Sequence, residues 1–419
     1  MPHSDSLFRS RLRHWPWPVL LVWSVLLLLP FGRSAELPGA LMAVAAMVLW
    51  RQGRLSPVAG RCRAFTIAFL LIWVPMLLSL PDAVTPAEAG RVTLLYLRFY
   101  FAGLFIVWAI DSRGKRNLLL RLTGLLLLFW AADALLQFSI GRDLFGYPAG
   151  TRLNGLFGRH LRLGIVLAIL SPLLFGWSLE RLPRWIVPIP FIAALFVVVA
   201  SGSRASWIMF TVILVAYGVP FLRARRGQAL VVAVVILFLL ATAATLSYRL
   251  FPTIASRIDT TLLLFSGDEA KVDQALAYRL PIWRTAVSML EDNPVNGVGV
   301  RDFRNAYDHY AGPDDFYLKQ GRRPTHPHQY LLEIGAEAGS IGLLGLLLLY
   351  GLLLRQWRAA SPPQRRLAWP VAVAMLAMWF PFNTHLAFYS SFMGQLVWWL
   401  TALYLALIST GGSGDERTR

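Results

Sequence analysis

Charge is what this chain most lacks. Only 15% of its 419 residues are Asp, Glu, Lys or Arg, against about 25% in an ordinary soluble protein, while 57% are hydrophobic. Such a chain cannot cover itself with polar surface, which excludes a soluble enzyme or binding domain. Cysteine is almost missing. The single Cys62 excludes an intramolecular disulfide and a cysteine-based metal cluster. Acids are far fewer than bases, and the formal net charge of +18 is carried almost wholly by arginine. In a soluble protein that excess would suggest nucleic acid. Here it bears first on orientation in a bilayer, with membrane lipids and not nucleic acid as the expected partner.

What the chain has is long apolar blocks, with a mean hydropathy of +0.56. A helix crosses a bilayer in about 20 residues. Blocks at 15–32, 35–50, 64–80, 92–110, 117–138, 161–179, 184–200, 205–222, 228–247, 329–354, 367–384 and 390–410 therefore predict an all-α polytopic membrane protein of about twelve helices. The second block is short and interrupted by Pro38. Arginines alternate with these blocks. One side receives Arg9, Arg11 and Arg13, then Arg51, Arg54, Arg61 and Arg63, then Arg113, then Arg223, Arg225 and Arg226, then Arg355, Arg358, Arg365 and Arg366. Because Lys and Arg are retained in the cytoplasm, both termini are expected there. The first block has no small-residue cleavage site and reads as an anchor. The expected organisation is a transmembrane bundle of about nine helices over 1–247, a polar segment over 248–328, about three helices over 329–410, and a cytoplasmic tail over 411–419.

The polar segment lies on the outer side, and its bases and acids balance, so its arginines do not serve topology. A structureless loop of this length is uncommon, and short helices lying over the membrane are expected. It ends in Arg322-Arg323-Pro324-Thr325-His326-Pro327-His328-Gln329-Tyr330. Pro327 suits a first helical turn and sets His328 in or beside the first turn of the tenth span. The positive end of a helix disfavours imidazolium, and a neutral imidazole accepts a proton. A capping or interfacial histidine has the same pattern. No third ligand accompanies His326 and His328, so no metal is expected there.

Upstream, Arg279-Leu280-Pro281-Ile282-Trp283-Arg284 opens an amphipathic helix that Asn293-Pro294 stops. The Gly297-Val298-Gly299 that follows is too short a signal for a nucleotide site. Arg204, in Ser201-Gly202-Ser203-Arg204, joins the seventh and eighth blocks at the same surface. Arg152, Arg159, His160 and Arg162 form a further basic group, and His385 is another outer histidine; neither suggests a specific mechanism. Gly335, Gly339, Gly342 and Gly345 suit close helix packing. Glu333 and Glu337 are read as surface or cap contacts, and Asp133 as a buried hydrogen-bonded residue. Taken together, Arg204, Arg279 and Arg284 could neutralise a lipid-borne diphosphate while His328 deprotonates an attacking hydroxyl, without a metal or other cofactor.

At these residues the chain resembles the O-antigen ligase and O-antigen polymerase superfamily of bacterial inner-membrane glycosyltransferases. The likeness rests on Ser203-Arg204-Ala205-Ser206-Trp207, on Arg279-Leu280-Pro281-Ile282-Trp283 continuing to Asn293-Pro294-Val295-Asn296-Gly297-Val298-Gly299, and on His328-Gln329-Tyr330-Leu331-Leu332-Glu333 continuing to Gly342. The family usually has His-Asn where this chain has His328-Gln329. The resemblance implies a GT-C-like architecture and an undecaprenyl diphosphate-linked O-antigen as donor, with inversion at the anomeric carbon. It gives His328 as the base, Arg204 and Arg279 as diphosphate ligands, Arg284 as a further candidate and His326 as a supporting residue. In a ligase the acceptor is the lipid A-core oligosaccharide. Repeat-unit polymerases and protein O-oligosaccharyltransferases share these motifs. The single late loop followed by three spans, and the chain's end soon afterwards, favour the ligase. A secondary transporter is the alternative of another class, with Asp133 as its candidate coupling residue.

Overall fold

The computed structural model of the protein describes residues 16–150, 152–224, 248–249, 252–384 and 387–409. The expected ninth span, the C-terminal tail, His385 and the first arginines lie outside the described residues. Among the described residues the chain is helical, with one isolated bridge between Arg142 and Pro148. The helices before the polar segment are α1 (Trp17–Leu28), α2 (Glu36–Arg51), α3 (Ala59–Leu78), α4 (Pro86–Ala109), α5 (Arg113–Ile140), α6 (Leu163–Arg181), α7 (Pro188–Ala200) and α8 (Arg204–Ala224). Within it are α9 (Pro252–Leu262), α10 (Glu269–Ala275), α11 (Leu280–Asp292) and α12 (Phe303–Tyr310). After it come α13 (Tyr330–Ala359), α14 (Pro362–Met378) and α15 (Ser391–Ile408).

Every described apolar block is helical, but six helical stretches are long and apolar enough to cross a bilayer by themselves: those within 59–82, 86–109, 113–140, 163–181, 330–359 and 391–408. The reason lies in rise per residue. The 12 residues of α1 and the 13 of α7 extend only about 18–20 Å, short of an apolar layer about 30 Å thick. Pro38 does not interrupt the second block. It sits in the first turn of α2, where its missing N–H is not needed. Helix ends follow their caps. Ser390 accepts from Met393 N at 3.3 Å, and Ser361 with Gln364 forms a capping box.

The helices pack as one bundle. α4 lies against α2 and α15, α3 against α13, and α6 against α5 and α14. α15 is central, with Trp398, Trp399 and Leu403 buried and the Trp399 indole donating to Val22 O at 3.0 Å. Large apolar side chains such as Leu94, Leu344 and Leu347 remain exposed on its outside, as expected of a surface that meets lipid. The chain is a polytopic membrane protein.

The polar segment has a small core of its own around Ile282, Met289, Phe303 and Tyr307, and it enters the bundle at one place. α13 is broken at Gly339 (φ +61°, ψ −160°). The backbone groups freed there are taken up by residues 294–299. Ser340 N donates to Pro294 O at 2.9 Å and Ile341 N to Val295 O at 3.1 Å, while Val298 N donates to Ala336 O at 2.9 Å and Gly299 N to Glu337 O at 3.1 Å. A broken helix in a membrane protein persists only where its polar backbone is satisfied by protein. Gly345 fits the packing expectation, because a Cβ there would strike Leu71 O of α3. Gly339 does something else. It supplies the positive φ of the break, and a Cβ there would strike the carbonyl of Val295.

This contrast is measurable. Gly339→Ala is expected to cost on the order of 2–4 kcal/mol, from strain and overlap, and to open residues 294–299 to protease. Gly351→Ala, on the same helix with nothing within 4 Å of the added carbon, should leave the unfolding midpoint in detergent unchanged or slightly raised. Equal midpoints for the two variants would contradict the role given to the break.

Candidate functional site

Four of the five sequence-proposed site residues stand where the loop segment meets the bundle. Arg204 is the first residue of α8, and its guanidinium donates to Ala275 O at the end of α10. Arg279 is the N-cap residue of α11. It is delivered by Ala277 and Tyr278, both left-handed (φ +59° and +58°), a turn held by Tyr278 N donating to Asp273 O at 2.8 Å and Leu280 N to the Asp273 carboxylate at 2.9 Å. The Tyr278 ring stacks on Phe316 at 4.4 Å. Two consecutive non-glycine residues in that region are strained, and such strain concentrates at sites where a side chain must be aimed.

The guanidiniums sense one another. Arg279 is held below its ordinary pKa by burial and then by the like charge of Arg204, with Arg152 adding to it. Arg152 is lowered by burial and by Arg257 and Arg204, and its side chain lies beside Gly202. Among the described residues no carboxylate is within ion-pair distance of Arg152, Arg204 or Arg279. Arginine stays charged at neutral pH even so. A half-buried group of unneutralised guanidiniums repels itself and attracts an anion with several charged oxygens. Arg284 is not part of this group. It pairs with Glu269 on the loop surface, with 68% of its side chain exposed.

The histidine strap is tied to the same helix. The indole of Trp283 donates to Pro327 O at 3.0 Å, and Trp283 lies one helical turn, about 5.4 Å, from Arg279. The strap carries His326, which is buried, and His328, with ring centroids 4.0 Å apart. Thr325 Oγ1 is 3.0 Å from His326 Nδ1. α13 begins later than the proline suggests. Gln329 is its N-cap, accepting from Leu332 N at 2.8 Å, and its amide nitrogen also donates to Pro381 O at 2.6 Å. His328 therefore stands just before the helix, at φ +58°. Pro327 lies outside the first turn. Among the described residues no group of three or more His, Cys, Asp or Glu is placed to hold a metal ion.

Two acids of α13 fix the surroundings. The buried Glu337 accepts from Arg301 N at 2.7 Å and Phe303 N at 3.4 Å, capping α12 from another helix. The buried Glu333 accepts from Phe388 N at 2.9 Å and Tyr389 N at 3.4 Å. They are cap contacts, as read from the sequence, but to segments distant in the chain. Arg301 (φ +68°), which no sequence motif singles out, is held by the Glu337 contact and lines a cavity together with His326. Asp133 accepts from Leu144 N at 3.0 Å and Leu156 N at 2.8 Å, so both its oxygens staple a loop.

Residues 189–347, which contain Arg204, Arg279, Arg284, Arg301, His326 and His328, match the model of the O-antigen ligase family. The match covers 159 of the 419 residues. No curated protein gives a significant match.

The tethering has a direct readout. In Glu337→Ala, amide exchange at Arg301 and Phe303 should accelerate several-fold, as expected from losing hydrogen bonds worth about 1–3 kcal/mol. Glu337→Gln, which keeps one acceptor oxygen, should fall between. Unchanged exchange at both amides would show that the turn holds itself.

Proposed function

We propose that the chain is an O-antigen ligase of the bacterial inner membrane, acting on the periplasmic face with both termini in the cytoplasm. It would move a glycan from undecaprenyl diphosphate to a hydroxyl of the lipid A-core oligosaccharide. The observation that carries this is the meeting of Arg204 and Arg279, unpaired with acids, beside the strained His326–His328 strap, all within the stretch that matches the O-antigen ligase family. His328 takes the proton from the acceptor hydroxyl as its oxygen attacks the anomeric carbon. The bond from that carbon to the diphosphate oxygen breaks, and attack from the opposite face inverts the centre. Undecaprenyl diphosphate leaves with its added negative charge held by Arg204 and Arg279. The charge neutralisation that a divalent cation gives elsewhere is thus assigned to guanidiniums, and no cofactor enters. His326, against the His328 ring, supports its orientation. Arg284 is assigned at most a contact with glycan, since its charge is engaged by Glu269.

The domain division follows from the same reading. The bundle over 1–247 and the helices over 329–410 hold the lipid-linked substrates at the membrane, and the segment over 248–328 brings Arg279 and the histidines to them. The binding of Asp133 to two backbone amides favours a structural role for it and weighs against a carrier.

The test is reconstitution in detergent with EDTA, undecaprenyl diphosphate-linked glycan and separate acceptors. Lipid A-core should give a product ladder. His328→Ala and Arg279→Ala should abolish it while eluting as folded protein. Arg279→Lys, which cannot form the bidentate pair, should lose more than about tenfold, and Arg284→Ala should keep most activity. Transfer only to a single glycan repeat would make the protein a polymerase, and transfer only to a pilin-like protein a protein O-oligosaccharyltransferase. Strict dependence on added Mg²⁺ would contradict the arginine mechanism.

A further inference from the structure

We propose that the cavity on the α1–α2 side of His326 is a second anion site, built to hold a phosphate group carried by the acceptor saccharide; the assignment rests on the ligase reading above. The cavity has a volume of about 450 Å³ and is lined by Arg33, His160, Arg162, Arg301 and His326 with hydroxyls of Thr325, Ser390 and Ser391. These come from the α1–α2 turn, the connection before α6, the turn after Gly299, the histidine strap and the start of α15. None of Arg152, Arg204, Arg279 and Arg284 lines it, so it is distinct from the group assigned to the donor diphosphate.

Its chemistry is that of a site for a polyoxygen anion. Three arginines and one acid, Glu36, line it, and Arg33 already holds that acid at 3.2 Å; the buried Glu333 and Glu337 lie within electrostatic reach of Arg301 from behind the lining. Among the described residues Arg162 and Arg301 have no ion-pair partner. The Arg162 guanidinium lies over the Phe392 ring at 4.3 Å. Arg301 has a buried Nη1 with no hydrogen-bond partner, and its backbone is held at φ +68° by Glu337. A buried donor left unmatched costs about 1–3 kcal/mol, which a bound oxyanion restores. Guanidinium forks and hydroxyls surrounding one space suit the tetrahedral oxygens of a phosphate. The volume lies within the range of small-molecule sites, about 300–1,000 Å³, and admits a phosphorylated sugar.

Position assigns this anion to the acceptor. His326 forms a wall of the cavity, and the His328 ring lies 4.0 Å from it, tilted by 54°. A saccharide held here by its phosphate keeps its neighbouring hydroxyls beside the histidine strap, at a site separate from the arginines around Arg279. One anion site then serves each substrate, with the base between them.

The experiment is a binding measurement that does not need turnover. Full-length protein in nanodiscs of neutral phospholipid is titrated with lipid A-core carrying its phosphates, and with the same lipid after dephosphorylation by hydrofluoric acid. Dephosphorylation should weaken binding to the wild type at least tenfold. Arg162→Gln and Arg301→Gln should each show a comparable loss toward the phosphorylated lipid and little further loss toward the dephosphorylated one. Affinity for the undecaprenyl diphosphate donor should be unchanged in both. Arg301→Lys, which keeps the charge on the same backbone, should recover part of the loss and guards against collapse of the turn.

Equal wild-type affinity for the two lipids would overturn the proposal. So would inorganic phosphate alone binding as tightly as the phosphorylated lipid, which would make the site one for a free anion. Phosphate-dependent binding without glycan transfer would contradict the ligase reading while supporting the site. Transfer with no phosphate dependence would do the reverse.

Discussion

A helix that breaks inside a membrane protein must find partners for the backbone groups it frees, because lipid offers none. In this protein the break at Gly339 is filled by residues 294–299 of the polar segment, with hydrogen bonds of 2.9–3.1 Å on both sides of it. The rest of the site depends on that junction. It fixes the foot of α11, hence Arg279 and Trp283, against the bundle. It presents the Glu337 carboxyl to Arg301 and Phe303. The turn also ties to the α3–α4 connection through Val84 N on Val298 O at 3.1 Å and Thr85 N on Asp302 at 2.8 Å. A segment held at so many points places charged side chains at a defined height, which a mobile loop does not.

The electrostatics follow from that rigidity. Guanidiniums around Arg279 are held below their ordinary pKa by burial and then by one another, and among the described residues they have no carboxylate within ion-pair distance. Unpaired charge of this kind opposes folding, and a stable bundle must offset it. In return the site is preorganised for an anion, so the proposed transfer would need little reorganisation as charge develops on a leaving diphosphate. His328 at φ +58° and the Ala277-Tyr278 turn are local costs of the same kind, located where two side chains must be aimed toward each other.

Much of this was legible in the sequence, and what was not has a physical reason. The apolar blocks announced the helices, since hydropathy reads span position directly. Pro281 and Asn293-Pro294 marked the two ends of α11 correctly. The starts of other helices were less visible. Pro327 suggested that α13 begins with it, whereas the side chain of Gln329 caps the helix. In the sequence, Gly297-Val298-Gly299 reads as a tight turn and Gly339 as part of a packing stripe. Their joint role required two chain segments about forty residues apart to be seen together, which no periodicity encodes. Arg301 was missed for the same reason, since its importance comes from the carboxyl of Glu337 and a positive φ. Arg284 shows the opposite limit of a motif. It lies within a promising motif, but its orientation on α11 points it to Glu269 on the surface.

The central claim is that guanidiniums of α8 and α11 hold a diphosphate within reach of the histidine strap. It is tested most directly by an experimental structure of the protein bound to undecaprenyl diphosphate. The account predicts the diphosphate oxygens in ion-pair contact with Arg204 and Arg279, and the His328 ring facing the end from which the glycan departs. A diphosphate bound away from both arginines, or on the opposite face of the bundle from His328, would contradict it.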